Sequence, residues 1–376
     1  MTGIAILGST GSIGRQTLEV VERLGTEFRV RALAAGRHSE TFAAQLAAHP
    51  DARAWCAAGD ASPAPDRWAD GGLVELATLD DVELVVVATT GMAALPAVLA
   101  ALRAGRRVAL ANKETLVTGG HLVGAVLDVI GGDRLDHLRP IDSEHSAIWQ
   151  CLVGERLDEV ERLVLTASGG PFRGRPPESL GGVTAEEALA HPTWRMGPKI
   201  TVDSATLVNK AFEVIEAKWL YRLPYSKIDA VIHPQSVVHS LVEFVDGSYK
   251  AQLGLPDMRL PIQYALTHPA RMPSPARRSS PAAWENLTFA PLPAGAFPAY
   301  DAVRSAADEG GNRGVILNAA DEVAVAAFLD GRIGFPAIAA TIASAVERWG
   351  DDREPALEEI VSLDAEVRAT LWEAIP

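Results

Sequence analysis

The sequence is 376 residues long, which exceeds one ordinary domain and predicts two or three. Hydrophobic residues make up 48% of it and charged residues 22%, as in soluble globular proteins with ample core. A net charge of −14 disfavours nonspecific binding to nucleic acid or to an anionic membrane, so an anionic substrate would need a local basic pocket. Cys56 and Cys151, the only cysteines, form neither a disulfide framework nor a zinc pattern, and we expect a cytoplasmic protein.

The chain begins with an apolar run at 4–7 that predicts a strand, and 15–24 has helical periodicity. A strand this early in the chain predicts that no signal peptide is present. Between the two lies GSTGSIG at 8–14, whose glycines allow a tight turn and close approach of a pyrophosphate to backbone N–H groups. The spacing is GxxGxxG rather than GxGxxG, but strand, glycine turn and helix are the setting of a dinucleotide fingerprint.

A second strand is predicted at 28–33, and it is followed by Gly36, Arg37 and His38. An NAD enzyme usually places an acidic residue near this point to bind the ribose 2′-hydroxyl. Arg37 suits a 2′-phosphate instead, so the pattern favours NADPH. The alternative is an ordinary exposed turn.

The next segments alternate in type, with a strand at 82–88, a helix at 93–103 and a strand at 106–111. This alternation predicts a parallel, doubly wound sheet. The uncharged run 84–102 is nearly long enough for a membrane span, but Thr89 and Pro96 favour a buried strand followed by a buried helix.

Asn112, Lys113 and Glu114 follow the last of these strands. Sheets of this kind bind ligands at the carboxyl ends of their strands, so a role in the site is favoured over simple loop decoration.

A change in composition follows 131–133, and the next polar segment is Asp142-Ser143-Glu144-His145. In an extended segment the carboxylates at 142 and 144 would face the same way and would repel unless a cation lay between them. Oxygen ligands select Mg²⁺ or Mn²⁺ rather than zinc. The alternative is a polar loop that leads into a helix at 146–153.

A strand at 163–165 precedes a glycine turn that could present Ser168 to an anion. A Pro- and Gly-rich stretch follows, and then HPTWRMG at 191–197. We expect a mobile lid loop near 168–198. Taken singly, His191 and Trp194 would more often be packing residues.

We interpret the segment 199–219 as the centre of the candidate site, around which the other motifs are arranged. The β-branched run 200–202 predicts a short strand, Asp203-Ser204 an N-cap, and the residues after it a helix with one apolar stripe. Ser204, Asn209 and Lys210 could hold a phosphate at this helix start, and Glu213 could reach a metal. The alternative is a solvated polar face on which Lys210 and Glu213 form an i,i+3 pair.

The rest of the chain reads as strand, turn and strand at 230–245, a Pro-rich linker, and helices with Ala-rich apolar stripes. The predicted division is a Rossmann-like nucleotide domain at 1–132, an α/β catalytic domain at 133–267, a linker at 268–298 and a C-terminal helical bundle at 299–376.

Seven of these segments, in this order, resemble the 1-deoxy-D-xylulose 5-phosphate reductoisomerase family. They are GSTGSIG at 8–14, ANKETLV at 111–117, DSEHSAIWQ at 142–150, SGGPF at 168–172, HPTWRMGPKITVDSATLVNK at 191–210, EVIEAKWL at 213–220 and HPQSVVHSLVE at 233–243. The resemblance implies conversion of 1-deoxy-D-xylulose 5-phosphate to 2-C-methyl-D-erythritol 4-phosphate, an early step of non-mevalonate isoprenoid biosynthesis. It also implies NADPH, Mg²⁺ or Mn²⁺, and a homodimer.

The resemblance assigns roles by position. The metal ligands would be Asp142, Glu144 and Glu213. The catalytic residues would be Lys113, Glu144 and His191. The substrate would be bound by Lys113, Ser143, Glu144, Ser168, His191, Ser204, Asn209, Lys210 and Glu213. The NADPH contacts would be Thr10, Gly11, Ser12, Ile13, Gly36, Arg37, His38, Asn112, Glu114 and Gly197.

Three positions depart from the usual pattern of the family: Ala167 before the SGG turn, Arg195 in the lid loop and His38 after the second strand. None of them removes an expected ligand. The implied route is retro-aldol cleavage and re-addition, followed by hydride transfer, with Glu144 as a candidate for proton transfer. Two other classes stay open: a plain NADP-dependent dehydrogenase, which would need no carboxylate trio, and a non-catalytic NADP-binding sensor.

Overall fold

A computed structural model describes residues 1–58, 65–194, 196–284 and 286–376. The chain forms two compact units, each assembled from three separate stretches. Unit 1 comprises Met1–Thr115, Leu122–Trp149 and Asp257–Arg277. Unit 2 comprises Leu116–His121, Gln150–Pro256 and Arg278–Pro376. The domain boundaries given above stay a prediction.

The strands are β1 Thr2–Leu7, β2 Phe28–Ala35, β3 Arg53–Cys56, β4 Leu84–Val87, β5 Arg107–Leu110, β6 Leu138–Pro140, β7 Val160–Ala167, β8 Ile228–Ile232, β9 Val238–Phe244, β10 Tyr249–Leu253 and β11 Ala290–Pro291. The helices are α1 Ser12–Leu24, α2 Glu40–Ala48, α3 Gly72–Ala77, α4 Leu95–Arg103, α5 Glu114–Ile130, α6 Arg134–His137, α7 Ser143–Leu152, α8 Ala185–Leu189, α9 Pro198–Thr206, α10 Val208–Tyr221, α11 Arg259–Thr267, α12 Pro298–Glu309, α13 Arg313–Leu329, α14 Phe335–Trp349 and α15 Leu357–Ala374.

Unit 1 is built on a six-stranded parallel sheet in the order β3-β2-β1-β4-β5-β6. Its central strands are apolar on both faces, and every residue of β4 is fully buried, which is what a sheet covered on both sides requires. The strand order reverses between β1 and β4. This is the order of doubly wound, Rossmann-like sheets, and the predicted α/β class is confirmed.

A late segment of the chain returns to this unit. Helix α11 packs against α1, β5 and β6. Two contacts fix it: Arg259 reaches Glu19 at 2.7 Å, and Arg139 Nη1 donates to the carbonyl oxygen of Ala265 at 2.8 Å. The sheet of unit 1 is therefore completed by residues far along the sequence.

Unit 2 contains a five-stranded mixed sheet in the order β10-β9-β7-β8-β11. Only β7 and β8 pair in parallel, and β9, β10 and β11 run antiparallel to their neighbours. The predicted strands on either side of the turn at 233–236 are β8 and β9, but β7 lies between them in the sheet. The structure thus confirms their existence and adds their order.

The C-terminal helices α12 to α15 share one apolar core with α9 and α10, and the expected C-terminal helical region is confirmed. The predicted stripe of α10 supplies Val208, Ala211, Phe212 and Ile215 to this core. Residues of the predicted lid loop also enter it: Phe172 packs edge-on against Phe335 with ring centroids 5.1 Å apart, and Leu180, Val183 and Ala188 are buried.

Two predictions of local backbone conformation were wrong, and a third, for Ser204, is described with the site. Residues 200–202 are helical, because Gly197 caps α9 and Pro198 occupies its first turn, so the helix begins before the β-branched run. Val202 is fully buried, and tertiary packing outweighs its preference for a strand. The carboxylates at 142 and 144 do not share an extended segment either, since Glu144 lies in the first turn of α7.

Two general features bear on handling of the protein. Both cysteines, Cys56 and Cys151, are buried and unpaired with each other. In the part of the chain that the structure describes, no helix combines the length and apolarity that a membrane crossing would need.

Candidate active site

The glycine turn after β1 wraps tightly around the start of α1. Gly8 has a φ of +93°, a conformation that L side chains rarely adopt. A Cβ at Gly14 would lie 2.3 Å from the carbonyl oxygen of Gly8, so only glycine permits this approach of helix and turn. The cap residue Gly11 has no side chain, and its backbone N–H donates to the carbonyl oxygen of Gly8 at 3.1 Å. Residues 10–13, the predicted cofactor contacts, lie at the start of α1, and a helix start of this kind generally suits a pyrophosphate.

The turn after β2 lies at the same edge of the sheet, because parallel strands end together. Arg37 is exposed there. His38 stacks on Trp68 with ring centroids 5.8 Å apart and an interplanar angle of 22°. A Cβ placed on Gly36 would have no atom within 4 Å beyond its own residue and the two chain neighbours, so there is space beside this strand end.

Asn112, after β5, ties together the loops that follow β4 and β5. Its Nδ2 donates to the carbonyl oxygens of Thr89 and Gly91 at 3.0 and 2.8 Å, and to Glu114 Oε2 at 2.9 Å. Its Oδ1 accepts from the backbone N–H of Thr115 at 3.1 Å and from the Thr115 hydroxyl. The side chain is 1% exposed. Asn112 therefore shapes this edge of the sheet by bracing two loops.

The loop after β6 carries the first two carboxylates of the predicted metal site. Asp142 forms an ion pair with Lys113, whose side chain is only 8% exposed. The Ser143 hydroxyl donates to Glu144 Oε2 at 2.5 Å. Lys113, Asp142, Ser143 and Glu144, four predicted site residues from two strand ends, thus lie together in unit 1.

In unit 2, Ser168 follows β7 and meets His191. The distance from Ser168 Oγ to His191 Nε2 is 3.2 Å. His191 Nδ1 accepts from the backbone N–H groups of Thr193 and Trp194 at 3.1 and 2.9 Å, so the ring proton is on Nε2 and is donated toward Ser168. Burial lowers the pKa of His191, which keeps the ring neutral near pH 7.

The turn that holds Ser168 packs against the carboxyl-terminal part of α9. A Cβ at Gly170 would lie 2.6 Å from the carbonyl oxygen of Ser204, which shows how closely the two segments approach. Ser204 is buried and lies near the end of α9, not at a helix start as predicted. Leu207, with a φ of +58°, separates α9 from α10.

The first two turns of α10 hold Asn209, Lys210 and Glu213. Lys210 forms an ion pair with Glu213, and Asn209 Nδ2 donates to Glu213 Oε1 at 2.5 Å. Lys210 and Glu213 are 3% and 1% exposed, so their pair is buried rather than solvated. The i,i+3 pair of the alternative interpretation exists, but the solvated face of that alternative does not. A buried charge needs a partner of opposite sign, and Lys210 and Glu213 are partners of one another.

Gly197 lies at the end of the predicted lid loop and caps α9. Its carbonyl oxygen accepts from the backbone N–H and the hydroxyl of Thr201, at 3.1 and 2.7 Å. Upstream, Trp194 lies with its ring centroid 6.3 Å from that of His239. Arg195, one of the three departures from the family pattern, lies outside the described residues.

Sequence reasoning missed several polar partners around these residues. Gln45 on α2 accepts from the Ser9 hydroxyl at 2.7 Å and donates to the Ser9 carbonyl at 2.9 Å, which fixes the glycine turn. Trp68 beneath His38 was also missed. Neither pair shows a periodicity or a motif, so only the fold reveals it.

A glycine turn at the reversal point of a parallel sheet, with a basic residue after the second strand, defines a dinucleotide-binding α/β protein. Three family models narrow this class. The model described as 1-deoxy-D-xylulose 5-phosphate reductoisomerase matches residues 4–120. The model described as the 1-deoxy-D-xylulose 5-phosphate reductoisomerase C-terminal domain matches residues 138–221. A third model, described as DXP reductoisomerase C-terminal domain, matches residues 253–370. The chain belongs to the 1-deoxy-D-xylulose 5-phosphate reductoisomerase family.

Individual relatives are similar to this chain over its whole length. The reductoisomerase of Pelotomaculum thermopropionicum is 48% identical over 375 residues, with 97% of this chain and 96% of the relative covered. The reductoisomerase from Zymomonas mobilis in complex with NADPH is 37% identical, with a TM-score of 0.89 and all of both chains covered. A DOX-P reductoisomerase in complex with NADPH, fosmidomycin and magnesium is 34% identical, with a TM-score of 0.88 and 99% and 98% covered.

Proposed function

We propose that this chain converts 1-deoxy-D-xylulose 5-phosphate to 2-C-methyl-D-erythritol 4-phosphate with NADPH and a divalent cation. The observation that carries the proposal is family membership along the full length of the chain. Solved relatives hold NADPH, fosmidomycin and magnesium. The reaction places the protein in isoprenoid precursor biosynthesis.

The residues of unit 1 fit NADPH. The glycine turn leaves no room for side chains at Gly8 and Gly14, and no side chain caps the start of α1 at Gly11. The N–H groups of Ser12 and Ile13 would then contact a pyrophosphate. Arg37 would pair with the 2′-phosphate. Thr10, Gly36, His38, Asn112, Glu114 and Gly197 complete the proposed set of contacts. When bound, NADPH supplies the hydride.

The metal donor set consists of oxygen only, as Mg²⁺ and Mn²⁺ prefer. We assign Asp142 and Glu144 of unit 1 and Glu213 of unit 2 as the ligands. The cation, when bound, supplies Lewis acidity for adjacent substrate oxygens. In unit 1 the ammonium group of Lys113 pairs with the Asp142 carboxylate, and we propose that it contacts the same substrate oxygens.

The phosphate of the substrate would be held in unit 2. Ser168, His191, Ser204, Asn209 and Lys210 are the proposed contacts. His191 offers an N–H from Nε2 and Lys210 a full positive charge, which a chain with a net charge of −14 must supply locally. Glu213 anchors Lys210 and Asn209, so it would set the direction of both donors as well as bind metal.

Proton handling falls to Ser143 and Glu144. The Ser143 hydroxyl donates to the Glu144 carboxylate, so a proton from a substrate hydroxyl could pass to Glu144 through this contact. Lys113 holds a proton at Nζ beside Asp142 and would stabilise negative charge on a substrate oxygen. His191 would bind the phosphate end and exclude water from it.

We further propose a cytoplasmic homodimer. The edge strand β10 supports an association between copies, because its residues Tyr249 and Leu253 and the nearby Val245 are exposed apolar groups. Light scattering should give the mass of two chains, and a monomer at micromolar concentration would contradict this part of the proposal.

The test of function follows NADPH absorbance after addition of 1-deoxy-D-xylulose 5-phosphate with Mg²⁺ or Mn²⁺. We expect turnover that excess chelator abolishes, and a loss of roughly 10²-fold or more in Glu213→Gln, since metal ligation is worth several kcal/mol in the transition state. Glu347→Gln, an exposed carboxylate on α14, is the matched control and should be unaffected. Turnover that survives chelation would indicate a plain dehydrogenase, and no turnover with folded, metal-loaded protein would leave a binding role.

A further inference from the structure

A buried carboxylate of the C-terminal helices reaches the start of α9. Asp321, on α13, is 0% exposed, and Leu317, Ala320 and Val325 of the same helix are also buried. Its Oδ2 lies 2.5 Å from Lys199 Nζ. A carboxylate in such surroundings is costly unless a cation accompanies it, and Lys199 is the cation that the structure provides.

Lys199 makes two further contacts that fix its position. Its Nζ lies 2.7 Å from Asp203 Oδ2, one turn along α9, and 5.3 Å from the centroid of the Phe212 ring. The side chain of Asp203 is 4% exposed. The neighbouring cation Arg368 pairs instead with Glu322 and Asp364, at 2.8 and 2.6 Å. Lys199 is therefore held from three sides, and the contact with Asp321 comes from the C-terminal helices.

The location of Lys199 gives this contact a role in the reaction. It is the second residue of α9 and follows the segment 191–197 directly. Ser204 lies five residues on in the same helix, roughly 7.5 Å along its axis. The far end of α9 is held by the close approach of Gly170 to Ser204, so the ion pair with Asp321 restrains the opposite end of this short helix.

We propose that Asp321 is a positioning residue for the substrate phosphate: by holding Lys199 it fixes α9, and with it Ser204 and the carboxyl-terminal end of the segment that carries His191. This inference rests on the proposed function, because it takes Ser204 and His191 as phosphate contacts. Burial raises the pKa of Asp321, which agrees with a carboxyl group whose charged form depends on its partner.

The test compares three changes with the wild-type protein. Asp321→Leu removes the contact. We expect the KM for 1-deoxy-D-xylulose 5-phosphate to rise about ten-fold while kcat and the KM for NADPH change little. This is the pattern of a change that weakens binding of substrate and transition state equally. Asp321→Asn keeps an oxygen for Lys199 and should restore most of the affinity. Lys199→Met with Asp321→Leu and Asp203→Asn replaces the cation and both of its carboxylate partners by uncharged groups, which should restore the melting temperature but not the KM.

Hydrogen exchange supplies a readout that does not depend on turnover. In Asp321→Leu the amides of residues 193–201 should exchange faster, while β7 and α14 keep their protection. Asp364→Asn is the matched control, because it breaks an ion pair of the C-terminal helices that does not contact α9. Unchanged KM and exchange in Asp321→Leu, or a KM that recovers with the melting temperature in the triple variant, would overturn the proposal. If the wild type fails to oxidise NADPH, the proposed function fails, and the exchange data still decide whether Asp321 holds α9.

Discussion

His191 carries its proton on one particular ring nitrogen. Two backbone N–H groups point at Nδ1, so the neutral ring donates from Nε2, and protonation of Nδ1 would oppose both N–H groups. The pKa of His191 is lowered from 6.5 by burial. As pH falls below 6.5 the ring binds a proton more readily when this segment is locally unfolded than in the folded chain, so the folded arrangement is fully favoured only above that pH.

We therefore predict that residues 191–194 lose protection against hydrogen exchange as pH falls from 7.5 to 5.5, after correction for intrinsic exchange rates. His191→Asn provides the control, since its side-chain oxygen can accept near the position of Nδ1 but does not titrate. It should keep the protection and lose the pH dependence. Protection that is equally pH-dependent in both proteins would assign the effect to another group.

At the scale of secondary-structure elements, the turn from β1 into α1 allows almost no variation. A methyl group at Gly14 would lie 2.3 Å from the Gly8 carbonyl oxygen and 2.5 Å from Ser9 Cα. Both contacts are to backbone, so the helix itself would have to move away from the turn.

Gly14→Ala should accordingly weaken NADPH binding by roughly ten-fold or more, because overpacking of this kind costs about 1–3 kcal/mol and displaces the phosphate-binding N–H groups. Fluorescence titration with NADPH measures the change. Gly182→Ala, where a Cβ meets nothing within 4 Å, should bind NADPH as the wild type does. Equal binding by both variants would contradict the proposed location of the pyrophosphate.

The elements differ in how far the sequence predicts them. Strands β1 and β4 are continuous apolar runs, and the glycine turn stands in its expected setting, so both could be predicted. Helix α9 could not, since its β-branched residues favour a strand and only their burial among other helices decides the outcome. The residues proposed to bind the substrate phosphate could be named from the family resemblance. The burial of Lys210 with Glu213 and the contact of Lys199 with Asp321 could not, because they depend on tertiary packing between segments remote in sequence.

At the scale of the whole molecule, the chain leaves each unit and returns to it. Unit 1 needs β6 to cover the edge of β5, and it needs α11 to pack on α1. Both lie beyond residue 132, where the sequence places the end of the nucleotide domain. In this chain a compact unit is therefore built from separate stretches of sequence rather than from one contiguous stretch.

We predict that a fragment of residues 1–132 does not fold stably, because it exposes β5 and one side of α1. A fragment of 1–149 joined by a short flexible linker to 257–277 should fold and bind NADPH. Circular dichroism and NADPH titration of both fragments test this. A stable, NADPH-binding fragment of 1–132 would show that the late segment is dispensable and would favour the simpler domain boundary.

The burial of both cysteines makes the chain a convenient host for a single spectroscopic label. Burial raises the pKa of the Cys56 thiol, which lowers the fraction of reactive thiolate, and Cys151 is also shielded from solvent. A cysteine introduced at the exposed Ala190, beside the segment that carries His191, would react with a maleimide or nitroxide reagent far faster than either native thiol. Such a probe would test whether that segment opens and closes as the predicted lid, with no native cysteine to remove first.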